Sequence, residues 1–215
     1  MAKKRDPATK AQRRELAQQR RLEEMRRRAR ATRMRRLRNI AIAVVVIGGL
    51  SALIVSNARK GARGTQDLNR LAAAAGCTAL QTPPEEGRSH QPPYTYKQNP
   101  PTSGSHRGPG PTGVFREPIQ DEDYVHNLEH GHVGIQYKDF GGSVVDELEK
   151  IVRGDPTHLF IAPRPQLDAK LALTAWNRLI TCQALTAEAV QVAERFAKQF
   201  AGQGPENVPG TPRGV

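Results

Sequence analysis

"YVHNLEHGHVGIQY", Tyr124–Tyr137, changes its periodicity at one glycine. His126 and His130 stand four apart, one face of a helix, and His130 and His132 stand two apart, one face of a strand. Both spacings hold if a short helix, opened by the acidic residues Asp121–Asp123, ends near His130 and Gly131 turns the chain into a strand over Val133–Tyr137. The stretch therefore predicts a helix-to-strand corner, with the rings of His126, His130 and His132 converging at the junction.

C-terminal to the corner, the pattern alternates. "GGSVVDELEKIVRG" predicts a helix with Ser143 as N-cap and Asp146 three residues on. Its apolar face is Val144, Val145, Leu148, Ile151 and Val152, and Gly154 is its stop. "THLFIAPRP" predicts a strand ended by Pro163 and Pro165. "KLALTAWNRLITC" predicts one strand, or two broken at Asn177-Arg178. "TAEAVQVAERFAKQFAG" predicts a helix with Val192, Phe196 and Phe200 on one face, and "QGPENVPGTPRGV" predicts a disordered tail. The order β-α-β-β-α implies an α+β domain: a small sheet of about 3–5 strands with two helices packed on one face. His158 heads a strand by itself, as a surface or core residue.

N-terminal to the corner, residues 82–118 are dense in proline, from Pro83 and Pro84 to Pro118. Proline fixes φ and has no N–H, so this region is extended and turn-rich without regular helix. It also carries His90, Tyr94, Tyr96 and His106, which a plain linker rarely does. It reads as a loop wrapped over the domain.

Charge divides the chain more sharply. Before Asn39 there are 16 Lys/Arg and 4 Asp/Glu, and after it 17 of each, so the net +12 belongs to one terminal arm. That arm, 1–38, lacks glycine and lacks proline after Pro7; its residues favour helix but offer little apolar face. "NIAIAVVVIGGLSALIVSNA", Asn39–Ala58, follows with no charge. About 20 residues at 1.5 Å each span roughly the 30 Å hydrocarbon layer of a bilayer. The expectation is one transmembrane helix, N-terminus cytoplasmic by the positive-inside rule, and everything after Arg59 extracytoplasmic. A cleaved signal peptide is the alternative; its n-region would be far longer than usual. The arm suits an anionic inner leaflet, each basic residue near the surface contributing about 1 kcal/mol. A plain topology signal and nucleic-acid binding are the other readings of its charge. "GTQDLNRLAAAAGC" predicts a short juxtamembrane helix or linker over 59–76.

The two cysteines, Cys77 and Cys182, both fall on the extracytoplasmic side of that topology, where disulfides persist. A bridge would close a loop of about 100 residues and stabilise by roughly 4–5 kcal/mol. The alternative is two unpaired buried thiols.

Three of the chain's six histidines and Glu129 lie between His126 and His132. Neutral imidazoles suit zinc, copper, nickel or iron, and His106 or Glu129 completes a donor set with His126 and His130. His90 and His132 are further candidates. His126-x-x-Glu129-His130 also matches the H-x-x-E-H pattern of inverted zinc peptidases, with Glu129 as general base. That chemistry needs a long rigid helix and a second lobe to form a cleft; here a glycine and a strand follow at once. The remaining reading is structural: buried His and Glu side chains hydrogen-bonded to the proline-rich loop.

"NPPTSGSH", "VHNLEHGHVGIQY" and "APRPQL…LTAW" together resemble DUF3105, a family of bacterial membrane-anchored proteins with an extracytoplasmic domain of unknown function. The resemblance covers roughly Cys77 to Phe200. It implies an N-terminal span, the early Cys77, the Pro100–His106 block and the His126, Leu128–Gly131 block. The ligand set it implies is His106, His126, Glu129 and His130, with His90 beside it; His132 stands where the family pattern has Gly. It implies no activity, substrate or cofactor. The expectation is a single-pass protein with an extracytoplasmic domain at 77–202 that binds a divalent metal, zinc or copper, through the His/Glu cluster. The alternatives are a non-catalytic module docking an envelope protein partner, and a zinc hydrolase.

Overall fold

The computed structural model describes residues 10–138 and 142–213. Residues 1–9 of the basic arm, 139–141 ahead of the expected helix at 143, and 214–215 of the expected tail lie outside the described residues.

Two compact units divide the chain, Met1–Lys60 and Gly61–Val215. In the first, α1 (Lys10–Ala74) carries the regular structure, and its apolar residues, among them Val45, Ile47, Leu53 and Ile54, are exposed. The stretch expected as its own juxtamembrane helix is the end of α1. From Gly61 it belongs to the second unit, where Leu68, Ala72 and the following Ala75 are buried in the core.

The second unit is α+β. Its strands are β1 (Thr112–Val114), β2 (Val133–Tyr137), β3 (Leu159–Pro163), β4 (Leu171–Ala175), β5 (Arg178–Cys182) and β6 (Pro212–Arg213). Its further helices are α2 (Asp121–Glu129), α3 (Ser143–Gly154) and α4 (Ala187–Phe200). The sheet order is β5-β4-β2-β3-β1-β6, parallel from β2 through β6 and antiparallel at β2-β4 and β4-β5. The sheet has six strands because β1 and β6, of three and two residues, pair at one edge. Strands that short leave no alternation to read.

Register aligns an apolar row across the sheet, Ile161, Ile135, Leu173 and Ile180. The row faces α3, α4 and the end of α1 in the larger core cluster. Each fully buried Leu or Ile there contributes about 1.5–3 kcal/mol relative to exposure. The opposite face is covered as well. Phe160 and Ala162 pack there under Tyr124, Val125 and Leu128 of α2, with Phe115 and Trp176. Helices therefore sit on both faces, not one: α2 is buried over its last six residues, Tyr124–Glu129, and is too short to announce a sheet-covering role in sequence. Gly134 leaves room for the Phe160 ring on which α2 packs, since a Cβ at that position would lie 2.4 Å from Phe160 Cζ.

Two connections depart from expectation. The cap of α3 is Gly142, with φ +107, and makes no side-chain cap hydrogen bond; Ser143 is already helical. Gly202 and the segment after it, expected as a disordered tail, carry backbone hydrogen bonds. Gly202 N–H donates to Gly131 O (2.8 Å), Glu206 N–H to Glu129 O (2.9 Å), Val208 N–H to His130 O (3.2 Å) and Gly210 N–H to Thr157 O (2.8 Å). Residues 202–210 thus form a strap across the α2-β2 corner. At the other sheet edge, Cys77 is disulfide-bonded to Cys182, and Thr78 and Gln81 hydrogen-bond along β5.

Candidate metal centre

The helix-to-strand turn folds as its spacing predicts, but the three rings do not converge: those of His126 and His130 meet, and His132 bonds the strap instead. His130 caps α2, Gly131 turns with φ +85, and the chain enters β2 two residues later. Gly131 N–H donates to Leu128 O (3.0 Å) and His132 N–H to Asn127 O (2.9 Å), the paired 5→2 and 6→1 bonds of a Schellman turn. This fixes where the ring of each histidine on the corner starts.

The proline-rich loop supplies the rest. It is tied down by Tyr124 Oη–H donating to Pro101 O (3.0 Å), Asn177 N–H to Thr102 O (3.1 Å) and Arg107 N–H to Glu122 O (3.0 Å). The buried guanidinium of Arg164, at the end of β3, binds both Asn99 of the loop and Asp121 at the start of α2. Tyr96 Oη–H donates to Ser105 O (2.6 Å), and its ring fills the space where a Cβ on Gly104 would lie. These bonds bring His90 and His106 to the buried face of α2.

There, one ligand atom each from His90, His106, His126 and Glu129 lie within 4.8 Å of one another. His106 Nε2 is 3.0 Å from Glu129 Oε2, and His90 Nε2 is 3.8 Å from the same oxygen. His106, His126 and Glu129 are buried, while the His90 side chain is about half exposed. The three ring centroids lie 4.7–4.8 Å apart. His130 adjoins this group without joining it: its Nε2 is 3.0 Å from His126 Nε2 and 3.4 Å from Glu206 Oε2. His132 turns away and donates from Nε2 to Val208 O (2.9 Å), leaving a buried Nδ1 with no partner among the described residues. His158 pairs with Asp155 (3.2 Å).

Hydrogen bonding sets the tautomers. A carbonyl oxygen only accepts, so His106 Nδ1, 2.7 Å from Gly104 O, carries a proton, and so does His126 Nδ1, 2.5 Å from Arg107 O. In the neutral rings each Nε2 is then an acceptor: that of His106 faces Glu129 Oε2 (3.0 Å), and that of His126 faces His130 Nε2 (3.0 Å). Burial pushes His126 down to about 4; its bond to the Arg107 carbonyl opposes this in part, and charge on His130, His106 or His90 would push further down. His126 is thus a neutral imidazole at physiological pH. Burial likewise holds His132 at about 4, against its bond to Val208. Lone pairs at His106 Nε2 and Glu129 Oε2, 3.0 Å apart, require a positive charge between them, a proton or a metal ion.

Residues 88–212 match the family described as "Protein of unknown function (DUF3105)". The chain belongs to this family. The match takes in His90, His106, His126, Glu129, His130, His132 and the strap; Cys77 lies outside the DUF3105 match and Cys182 inside it. No curated protein and no solved structure matches the chain significantly.

Sequence reasoning placed His90 as an outlying candidate and left Gly104, Arg107, Arg164 and Glu206 unremarked. The first two act through backbone carbonyls, which no residue type advertises. Arg164 did leave a signal, a lone cation between two prolines at a strand end. Glu206 sat in a segment without periodicity.

Proposed function

We propose that this DUF3105 member is a single-pass membrane protein whose Gly61–Val215 unit lies outside the cytoplasm and binds a divalent transition-metal ion through His90, His106, His126 and Glu129. The observation that carries the metal reading is the pinning of two Nδ1–H groups on backbone carbonyls. In the neutral rings it leaves each Nε2 without a proton, that of His106 3.0 Å from the buried Glu129 carboxylate, and it is the outer-shell pattern of metal-ligating histidines. Three imidazoles and one carboxylate suit tetrahedral zinc first and copper second. In the H-x-x-E-H scheme both histidines would hold the metal and the glutamate would stay free as a base. Here Glu129 is among the converging donors and His130 is not, which favours a ligand role for Glu129. The ion would clip the loop at His90 and His106 to α2. Because the loop has no ladder of its own, this is where a cross-link stabilises most.

The uncharged stretch of α1, flanked by the basic arm, supports anchoring with the arm in the cytoplasm, and the disulfide fits an oxidising compartment. A reporter active only outside the cytoplasm, fused after Val215, should be active; activity of a cytoplasmic reporter there overturns the topology. For the metal, full-length protein purified in detergent without chelator or His-tag should carry or take up about one zinc per chain. At 100-fold excess over Kd, zinc adds about 2.7 kcal/mol, or roughly 5–10 °C in melting temperature for a domain of this size. His106→Ala and Glu129→Gln should reduce the gain. A wild-type melting temperature indifferent to zinc and copper refutes the reading.

A further inference from the structure

His130 occupies a position that the four-donor group does not explain. Since His126 carries its proton on Nδ1, the 3.0 Å contact between the two Nε2 atoms requires His130 to donate. The lone pair it occupies is the one His126 would offer a metal. A cation therefore competes directly with the His130 N–H. The displaced N–H has an alternative acceptor already in place, Glu206 Oε2 at 3.4 Å. A carboxylate is the stronger acceptor of the two. Glu206 belongs to the strap, and the strap is bonded through backbone to Glu129, His130 and Gly131. Cluster and strap thus meet at one side chain.

We infer that metal occupancy of the His90/His106/His126/Glu129 group is coupled to the strap at 202–210 through His130, whose Nε2–H passes from His126 to Glu206 when the ion takes the His126 lone pair. This rests on the metal reading above. Metal binding then tightens the strap, and by reciprocity an ordered strap raises metal affinity. The strap is a latch that reports the state of the site on the far side of the α2-β2 corner.

The test is amide hydrogen exchange of the full-length protein in detergent, with and without Zn²⁺, beside zinc titration of the same samples. In wild type, zinc should slow exchange at Gly202, Glu206 and Val208 by about tenfold. Glu206→Gln, at an exposed side chain, should still bind zinc about 3–10-fold more weakly and lose most of that slowing. His130→Phe removes the competing donor, so zinc should bind at least as tightly as in wild type while the strap no longer responds. Zinc binding with unchanged strap exchange in wild type overturns the coupling and leaves the metal site standing. Loss of zinc binding in His130→Phe makes His130 a ligand and overturns the relay. Absence of zinc binding in wild type removes both readings.

Discussion

Substituting Gly131 by alanine should cost about 4–5 kcal/mol, and the sum can be dissected. Gly131 has φ +85, a conformation that costs a residue with a Cβ about 1–2 kcal/mol. Its added Cβ would also lie 2.9 Å from Gly204 N, 3.0 Å from Gly202 C and 3.1 Å from Gln203 N, all backbone, so the strap must move away. Moving it breaks the bonds from Gly202, Glu206 and Val208, at a net of about 1 kcal/mol each. Two other glycines separate the contributions. Gly142 has φ +107 and ψ 157 with nothing within 4 Å, so Gly142→Ala should show a conformational cost alone, about 1–3 kcal/mol. Gly204 has no positive φ, but its Cβ would lie 2.2 Å from Gly131 N and 2.3 Å from Glu129 O, so Gly204→Ala should show the strap loss, about 3 kcal/mol. Urea unfolding followed by fluorescence of Trp176, the only tryptophan, reads the Gly61–Val215 unit without interference from the rest of α1. If Gly131→Ala costs no more than Gly142→Ala, or if Gly204→Ala is tolerated within about 0.5 kcal/mol, the strap does not hold the corner and the argument fails.

Three further outcomes are expected. His126 and His132, each held at about 4, stay neutral in the fold while the unfolded chain takes protons below about 6.5; metal-free stability should therefore be full above pH 6.5 and fall towards pH 4, by at most about 3 kcal/mol per residue, and a flat pH profile of the urea midpoint contradicts this. The Cys77–Cys182 bridge spans 105 residues, so reduction or Cys77→Ser should lower stability by about 4–5 kcal/mol, and ready thiol labelling of the folded, unreduced chain would refute the bridge. Arg164→Ala leaves Asp121 and Asn99 without their shared cation; it should cost about 3–5 kcal/mol and speed proteolysis within residues 82–111, and unchanged cleavage would show that the loop is held elsewhere.

The elements that could be read from sequence are those whose order is local. The α2-β2 corner was legible because an acidic start, an i, i+4 pair, a glycine and a β-branched strand agree within seventeen residues, Asp121–Tyr137. The helices α3 and α4 were legible from their apolar faces, and the charge step at Asn39 set apart the apolar part of α1. What was not legible is held by non-local backbone bonds. β1 and β6 pair with each other 100 residues apart in the chain, Thr112 opposite Pro212. The strap satisfies its N–H groups on carbonyls of the corner, and neither leaves a periodic trace. Its composition, rich in Gly and Pro, is the same as that of a disordered tail. The glycines at 204 and 210 are instead required by close approach: a Cβ at Gly210 would lie 2.8 Å from His132 Cε1.

The histidine cluster shows the same limit more sharply. Spacing correctly put His126 and His130 on one face of a short helix, and from that alone both are equal candidates to hold an ion. What separates them is the loop, which arrives from twenty residues upstream of His126 with His106. The Arg107 carbonyl accepts a hydrogen bond from His126 Nδ1–H and leaves Nε2 as the acceptor of the ring, and the loop puts a ligand atom of His106 within 4.8 Å of those of His126 and Glu129. His130, one turn further on, donates to that Nε2 lone pair and lies beside Glu206 of the strap. Two chemically identical side chains four residues apart thereby take different positions: His126 is among the converging donor atoms, and His130 donates to it and adjoins the strap. The difference lies in the partner each ring finds, a backbone carbonyl for His126 and the Glu206 carboxylate for His130, a property of the folded loop and strap that neither residue type nor spacing carries.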